Sequence, residues 1–393
     1  MPDHPALAEG HTFRNQASAR PPFARIALLL QGGGALGAYQ GGVYEALTQA
    51  GLQPDWVAGI SIGAINAALI AGNPPAMRVK RLREFWDTVS RPRPGLLPLP
   101  LVTPGTEMMH RLLNQAQAFG NALFGTPGFF SPRPLPPFLS APGTAAAVSY
   151  YDVGPLTETL NRLIDFDLIN AGQIRFSVGA VNVRTGNFTY FDNTTDTITA
   201  AHVLASGALP PGFPGVEIDG ELYWDGGLVS NTPLDWVLES SPRQDTLAFQ
   251  IDLWNARGAV PQNLMETDTR QKEIRFSSRT RAGTNQFKKM QLMRRATARL
   301  LEAIPAPLRH SPEAELLATE SDHAVFNIIQ LIYRTQKYES TSKDYDFSRL
   351  TMQEHWAAGL HDAQRTLSYP EVLQRPQGMD GVFTFDLAEH EPV

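Results

Sequence analysis

An α/β fold, with helices on both faces of a mostly parallel sheet, is predicted for roughly the first 254 residues by three observations. Short apolar runs near 25–31, 56–60, 174–183, 216–224 and 246–252 alternate with helical runs near 38–50, 64–71, 76–90, 155–164, 199–207 and 233–239. Such alternation is how parallel strands joined by crossover helices are written. Two of the strands run straight into glycine-rich turns that open helices. Finally, 393 residues with 42% hydrophobic content suffice for a large core, in two domains or in one with a substantial extension.

Residues 1–24 are polar and proline-bearing, without an apolar run of signal-peptide length before Ile26, and a disordered tail is expected there. The apolar run Arg25 to Leu30 then enters Gln31-Gly32-Gly33-Gly34-Ala35-Leu36-Gly37, followed by a helical run from Ala38 to Ala50 with Gly51 as its C-terminal cap. Three successive glycines expose backbone N–H groups, and a helix starting there adds partial positive charge. The next strand, Trp56-Val57-Ala58, enters Gly59-Ile60-Ser61-Ile62-Gly63 and an alanine-rich helix from Ala64 to Ala71. At a strand-to-helix elbow the serine backbone is strained, and glycines two positions either side let strand and helix approach, so Ser61 is a candidate nucleophile.

Gly32-x-Gly34-x-x-Gly37 also has the spacing of a dinucleotide fingerprint. That reading requires an acidic residue at the end of the following strand, whereas Asp55 precedes its strand and Ser61 follows it. The joint pattern favours acyl transfer, with amides of the glycine loop holding the oxyanion formed when Ser61 attacks a carbonyl.

A base for Ser61 is then needed. Most of the nine histidines lie in polar or terminal surroundings. Asp225, in Tyr223-Trp224-Asp225-Gly226-Gly227, follows a short strand where two glycines let the chain turn away. Ala205-Ser206-Gly207-Ala208-Leu209-Pro210 stands before it and Asn231-Thr232-Pro233 after it, with Thr232 and Pro233 reading as N-cap and first residue of a helix. The absence of cysteine and of ligand spacing among the histidines argues against zinc.

These segments together resemble the patatin-like phospholipases, serine acyl hydrolases with a glycine-rich loop, a Gly-x-Ser-x-Gly elbow, an Ala-Ser-x-x-x-Pro segment and an Asp-Gly-Gly turn, all present here in order between Arg25 and Leu234. The resemblance implies a three-layer α/β core and a Ser-Asp dyad without histidine. Ser61 would be the nucleophile, Asp225 the general base, and the amides of Gly32, Gly33 and Gly34 the oxyanion hole, supported by Gly37, Gly59, Gly63, Gly226 and Gly227. No metal or cofactor is implied, and the substrate would be a phospholipid or another lipid ester. Leu36 stands where many members carry Arg or Lys. The dyad requires Asp225 within about 2.6–3.2 Å of the Ser61 oxygen and partly desolvated. The alternatives are a Ser-His-Asp esterase using His323 or another late histidine, and a non-catalytic nucleotide or lipid binder.

Within the catalytic part, 25–254, residues 91–149 hold eleven of the 31 prolines, which breaks up regular structure. One helix is predicted from Thr106 to Phe124, and the whole reads as an irregular loop on the core or as a lid or wall offering apolar surface to acyl chains. Residues 255–393 form a mixed extension similar to an uncharacterised one on some bacterial patatin-like proteins. Its stretch Arg270 to Arg309 has eleven Lys or Arg against two acids in a chain of net charge -6. Phe287, Met290, Met293, Leu300, Leu301 and Ile304 recur there at helical spacing, which suits either packing on the domain or peripheral contact with an anionic membrane. Nucleic acid is not expected, given the acidic balance and the absence of a motif. Val325 to Tyr333 reads as a strand able to extend the main sheet, 337–349 as a hydrogen-bonded loop without assigned function, and Thr351 to Leu367 as a helix packing through Trp356, Leu360 and Ala363, with His355 and His361 on other faces. Without cysteine or a run of about 20 apolar residues, a cytoplasmic or membrane-peripheral protein is expected.

Overall fold

A computed structural model describes residues 20–92, 107–277, 280–335, 339 and 343–386. Eleven strands are present among them: β1 (Arg25–Leu30), β2 (Trp56–Ile60), β3 (Ser131–Pro132), β4 (Tyr151–Asp152), β5 (Arg175–Asn182), β6 (Phe188–Asp192), β7 (Val216–Ile218), β8 (Glu221–Asp225), β9 (Thr246–Asp252), β10 (Phe326–Ile332) and β11 (Val382–Phe385). The helices are α1 (Ala38–Gln49), α2 (Ile62–Ala71), α3 (Arg78–Val89), α4 (Glu107–Phe124), α5 (Gly154–Leu163), α6 (Phe166–Asn170), α7 (Ala200–Ser206), α8 (Leu234–Glu239), α9 (Leu264–Phe276), α10 (Thr280–Ala303), α11 (Pro312–Glu320) and α12 (Arg349–Leu367).

Nine strands make one sheet in the order β11-β10-β9-β1-β2-β5-β8-β7, with β6 also paired to β5. From β11 to β5 every pairing is parallel, and β6, β8 and β7 join antiparallel. The central strands β2 and β9 are buried along their whole length, as a sheet covered on both faces requires. Side chains alternate between the faces: Leu28 and Leu30 join the core beneath α1, α2 and α3, while Ala27 and Leu29 join a smaller core with Leu234, Val237 and Phe287.

The segment beyond 254 is continuous with this architecture. β10 pairs with β9 over seven residues, and α12 packs against α1, where a Cβ on Gly42 would lie 1.9 Å from the Trp356 carbonyl oxygen. Only a glycine permits that backbone approach. α12 therefore braces the helix that follows the glycine loop.

Several local expectations differ from the structure. The predicted tail ends in a packed segment, with Phe23 buried and Arg20 bonded to Asp55; residues 1–19 lie outside the described residues. Residues 93–106 of the proline-rich insertion also lie outside them. Thr232 does not cap α8, because its hydroxyl donates to Asp252 and accepts from Gln31, and α8 begins only at Leu234. α10 turns Phe287, Gln291, Arg294 and Ala298 inward, so Phe287 of the predicted apolar stripe packs on the domain while Met293 and Leu300 of the same stripe are exposed. Gln291 docks by donating to Asp322 and to the Ala324 carbonyl. His355 is buried rather than on an outer face, its Nε2 2.7 Å from Glu339.

Candidate active site

β5 sets the spacing of the site. Ile60, the last residue of β2, pairs with Gly179, and the next residue of β5, Ala180, faces Asp225 at the end of β8. Ser61 and Asp225, 164 positions apart in sequence, are thus delivered to neighbouring registers on opposite edges of one strand. Ser61 Oγ donates to Asp225 Oδ2 at 2.6 Å.

Ser61 occupies φ 55° and ψ −123°, a conformation costing about 1–3 kcal/mol that persists only where the surroundings enforce it. The elbow glycines explain part of that enforcement. A Cβ on Gly63 would sit 2.2 Å from the Leu30 carbonyl oxygen, and one on Gly59 2.3 Å from that of Gly63. Ser206 supplies the rest: its Oγ accepts from the Ser61 N–H at 3.0 Å and donates to the Gly179 carbonyl at 2.7 Å. The serine of the Ala-Ser-x-x-x-Pro segment therefore ties the elbow to β5, a role not legible in its motif.

Asp225 is almost fully buried. Burial raises its pKa from 3.8 to about 6, partly countered by the bonds from Ser61 and from the Gly227 N–H, which donates to Oδ1 at 2.7 Å. Gly226 is needed where it stands, since a Cβ there would lie 2.5 Å from the Gly179 oxygen. The carboxylate is thus a stronger base than in water yet largely ionised at neutral pH.

The glycine loop lies over this pair, a Cβ on Gly32 falling 3.0 Å from that of Ser61. The three amides are not equivalent. The Gly32 N–H donates to the Asn231 carbonyl at 3.3 Å, whereas those of Gly33 and Gly34 have no acceptor among the described residues. The orientation of the loop follows from its carbonyls. The Gly32 oxygen accepts from Trp254 Nε1 at 2.9 Å and Asn231 Nδ2 at 3.1 Å, and the Gly33 oxygen accepts from the Leu36 N–H. In a trans peptide the following N–H points the opposite way, so these bonds aim the Gly33 and Gly34 amides away from their anchors. Leu36, where a cation was a possible family feature, is wholly buried in the core, and Gly37 packs against Ile62 and Trp86. Ser61 is the N-cap residue of α2, which adds the positive end of a helix.

Ser61 opens into a cavity of about 380 Å³, within the size range of small-molecule sites. Its wall is aromatic: Phe129 and Phe130 from the insertion and Tyr151 of β4 meet Phe213 and Phe347, with ring centroids 4.7–5.4 Å apart in the closest pairs. No histidine lines it among the described residues: His323 is exposed beside Glu302, His202 caps α7, and His355 bonds Glu339. The alternative reading through a late histidine thus finds none of the described ones at Ser61.

Asp344, Tyr345 and Phe347, from the 337–349 loop that carried no assigned function, also line the cavity. The Asp344 carbonyl accepts from the Ala35 N–H at 2.9 Å, and its carboxylate lies 3.3 Å from Lys272 of α9. Burial raises the Asp344 pKa, with Lys272 opposing it. Lys343 is buried against Glu273 at 2.9 Å. No sequence signal marks these residues as site residues, because the contact joins segments more than 300 positions apart.

Comparison with known proteins agrees with the motifs. A family model described as patatin-like phospholipase matches residues 28–238, and a second, described as patatin phospholipase, matches 274–379. Among solved structures, VipD from Legionella pneumophila is similar at 14% identity and a TM-score of 0.37, over 93% of this chain and 72% of that one. A chain of the complex of full-length SpcU with full-length ExoU, from the type III secretion system of Pseudomonas aeruginosa, is similar at 20% identity and a TM-score of 0.26, over 65% and 50%. No curated protein matches the chain significantly. Since the first model alone spans more than half of the sequence, the chain belongs to the patatin-like phospholipases, a family of lipid acyl hydrolases.

Proposed function

We propose that the protein hydrolyses the carboxylic esters of phospholipids or similar lipids through Ser61 and Asp225 alone. The observation behind this is the 2.6 Å bond between Ser61 and a buried, basic Asp225, in a cavity that no described histidine lines. Asp225 Oδ2 takes the hydroxyl proton as Ser61 Oγ bonds to the ester carbonyl carbon. The carbonyl oxygen becomes an oxyanion, held by the Gly33 and Gly34 amides and the positive end of α2. When the carbonyl re-forms, the ester C–O bond breaks and the alcohol leaves with the proton from Asp225. Water then attacks the acyl-enzyme, giving its proton to Asp225, which returns it to Ser61 as the fatty acid departs. Gly32, predicted as a third donor, serves instead as the anchor of the loop through its carbonyl.

On this reading residues 25–254 supply nucleophile, base and oxyanion donors, and 255–393 supply one wall of the acyl cavity. Three of the basic residues of 270–309 are engaged within the fold and not left to an anionic lipid surface. Arg270 and Lys272 are paired within the fold, and Arg295 donates to the His323 and Met379 carbonyls.

The test is turnover of phosphatidylcholine and of a water-soluble ester by wild type, Ser61→Ala, Asp225→Asn and His355→Gln. The first two variants should fold and lose turnover by orders of magnitude, while His355→Gln retains a folded active site. Near-normal rates in Asp225→Asn would overturn the assignment of the base.

A further inference from the structure

The insertion that walls the cavity has a second face which the fold leaves uncovered. α4 turns Ala118 inward, and Asn121 and Ala122 line the cavity, held by bonds from Asn121 to the Tyr345 carbonyl and from the Tyr151 hydroxyl to the Ala122 carbonyl. On its other side Phe119, Leu123 and Phe124 are between 52% and 69% exposed. The hairpin of β3 and β4 and the turns beside it add Leu135, Phe138 (83% exposed), Leu139, Val148 and Tyr150, and Tyr150 itself lies at the cavity. An amphipathic helix ordinarily keeps one face polar, so apolar residues on both sides of α4 are not explained by packing within the chain.

Charge identifies what fits this face. From Leu112 to Tyr150 the only Asp, Glu, Lys or Arg is Arg133, in a chain that is 18% charged overall. Arg133 is tucked against the Ser149 hydroxyl at 3.1 Å. An anionic bilayer is ordinarily met with basic residues, and a protein partner with a polar or charged rim around an apolar core. An uncharged apolar rim around a lipid-ester cavity complements the interfacial region of a zwitterionic bilayer.

We propose that the outer face of residues 116–150 is an interfacial docking surface that seats the cavity mouth on uncharged or zwitterionic phospholipid bilayers. Substrate then passes from the bilayer past Tyr150 into the cavity without crossing water. This rests on the hydrolase reading above and adds to it the surface from which substrate is drawn.

The experiment uses full-length protein with phosphatidylcholine vesicles, with and without added phosphatidylserine, at low and high salt. Wild type should bind pure phosphatidylcholine vesicles with little salt dependence. The variant Phe119→Ser/Leu123→Ser/Phe138→Ser, none of whose positions lines the cavity, should bind about ten-fold more weakly or worse, because interfacial affinity scales with buried apolar area. Its turnover of a water-soluble ester should be unchanged. Should that variant not fold, Leu123→Trp in an otherwise wild-type chain gives a second readout: its emission should shift to the blue on vesicle addition. Binding that requires phosphatidylserine and fades with salt would overturn the proposal in favour of the basic stretch. A dimer that the triple variant dissociates would overturn it in favour of a second copy on this face. Vesicle binding without turnover of any ester would sink the hydrolase reading and leave the docking surface standing, and turnover without vesicle binding would do the reverse.

Discussion

Replacing Asp225 by asparagine should make the protein more stable at neutral pH even as it removes activity. The carboxyl group is buried, and its pKa rises from 3.8 to about 6 on folding. A carboxyl that holds its proton more tightly in the folded state favours folding while protonated. Stability is therefore lost as pH climbs from about 4, where the unfolded chain releases this proton, to about 6, where the folded chain does too, and the loss is constant above. A difference of about two pH units at ~1.4 kcal/mol per unit amounts to about 3 kcal/mol. Asparagine escapes this penalty, and its geometry suits the site: Oδ1 still accepts from Gly227, and the amide nitrogen faces the Ser61 oxygen. Urea unfolding of both proteins between about pH 4 and 8 measures the gap. The variant should gain on wild type across the lower half of that range, by up to about 3 kcal/mol, and hold its lead above pH 6. A gap that does not change with pH, or a variant less stable at neutral pH, would refute the claim that Asp225 is ionised in a desolvated position.

The same carboxylate sets the pH dependence of catalysis: kcat/KM on a soluble ester should rise with pH and level off above about 6, as Asp225 becomes able to accept a proton; a profile flat through pH 5 to 7 contradicts this. Ser206→Ala leaves the Ser61 N–H and the Gly179 carbonyl without their shared partner, which should cost about 1–3 kcal/mol and lower kcat more than it raises KM, as steady-state kinetics will read out. Gly63→Ala places a methyl 2.2 Å from a backbone oxygen of a central strand, so thermal unfolding should reveal a loss of about 3 kcal/mol or more, or no folded protein.

What was legible in the sequence was local. Strand-to-glycine-to-helix transitions marked the elbow and the loop because each needs its small residues within a few positions, and the strands were apolar enough to read as buried on both faces. The opposite holds for what the sequence hid. Trp254 and Asn231 orient the glycine loop, and Asp344 bonds to it, but these are single side chains or carbonyls brought in by sheet order and by α12, with no periodicity to announce them. Thr232 reads as a helix cap from its neighbours, yet a buried hydroxyl facing both Gln31 and Asp252 bonds to them instead. The inner face of α10 misleads a hydrophobicity pattern because it docks partly by hydrogen bonds from Gln291, and His355 is drawn inside by Glu339. The difference among Gly32, Gly33 and Gly34 likewise depends on which way each peptide turns, something three identical residues do not encode.

Hydrolysis at this site requires that Ser61 itself form the bond to the acyl group. Treating the intact protein with a fluorophosphonate and mapping the adduct by mass spectrometry tests it most directly. One adduct is predicted, on the peptide containing Ser61, absent in Ser61→Ala and formed far more slowly in Asp225→Asn. Label on another residue, or label that persists undiminished in Ser61→Ala, would contradict it.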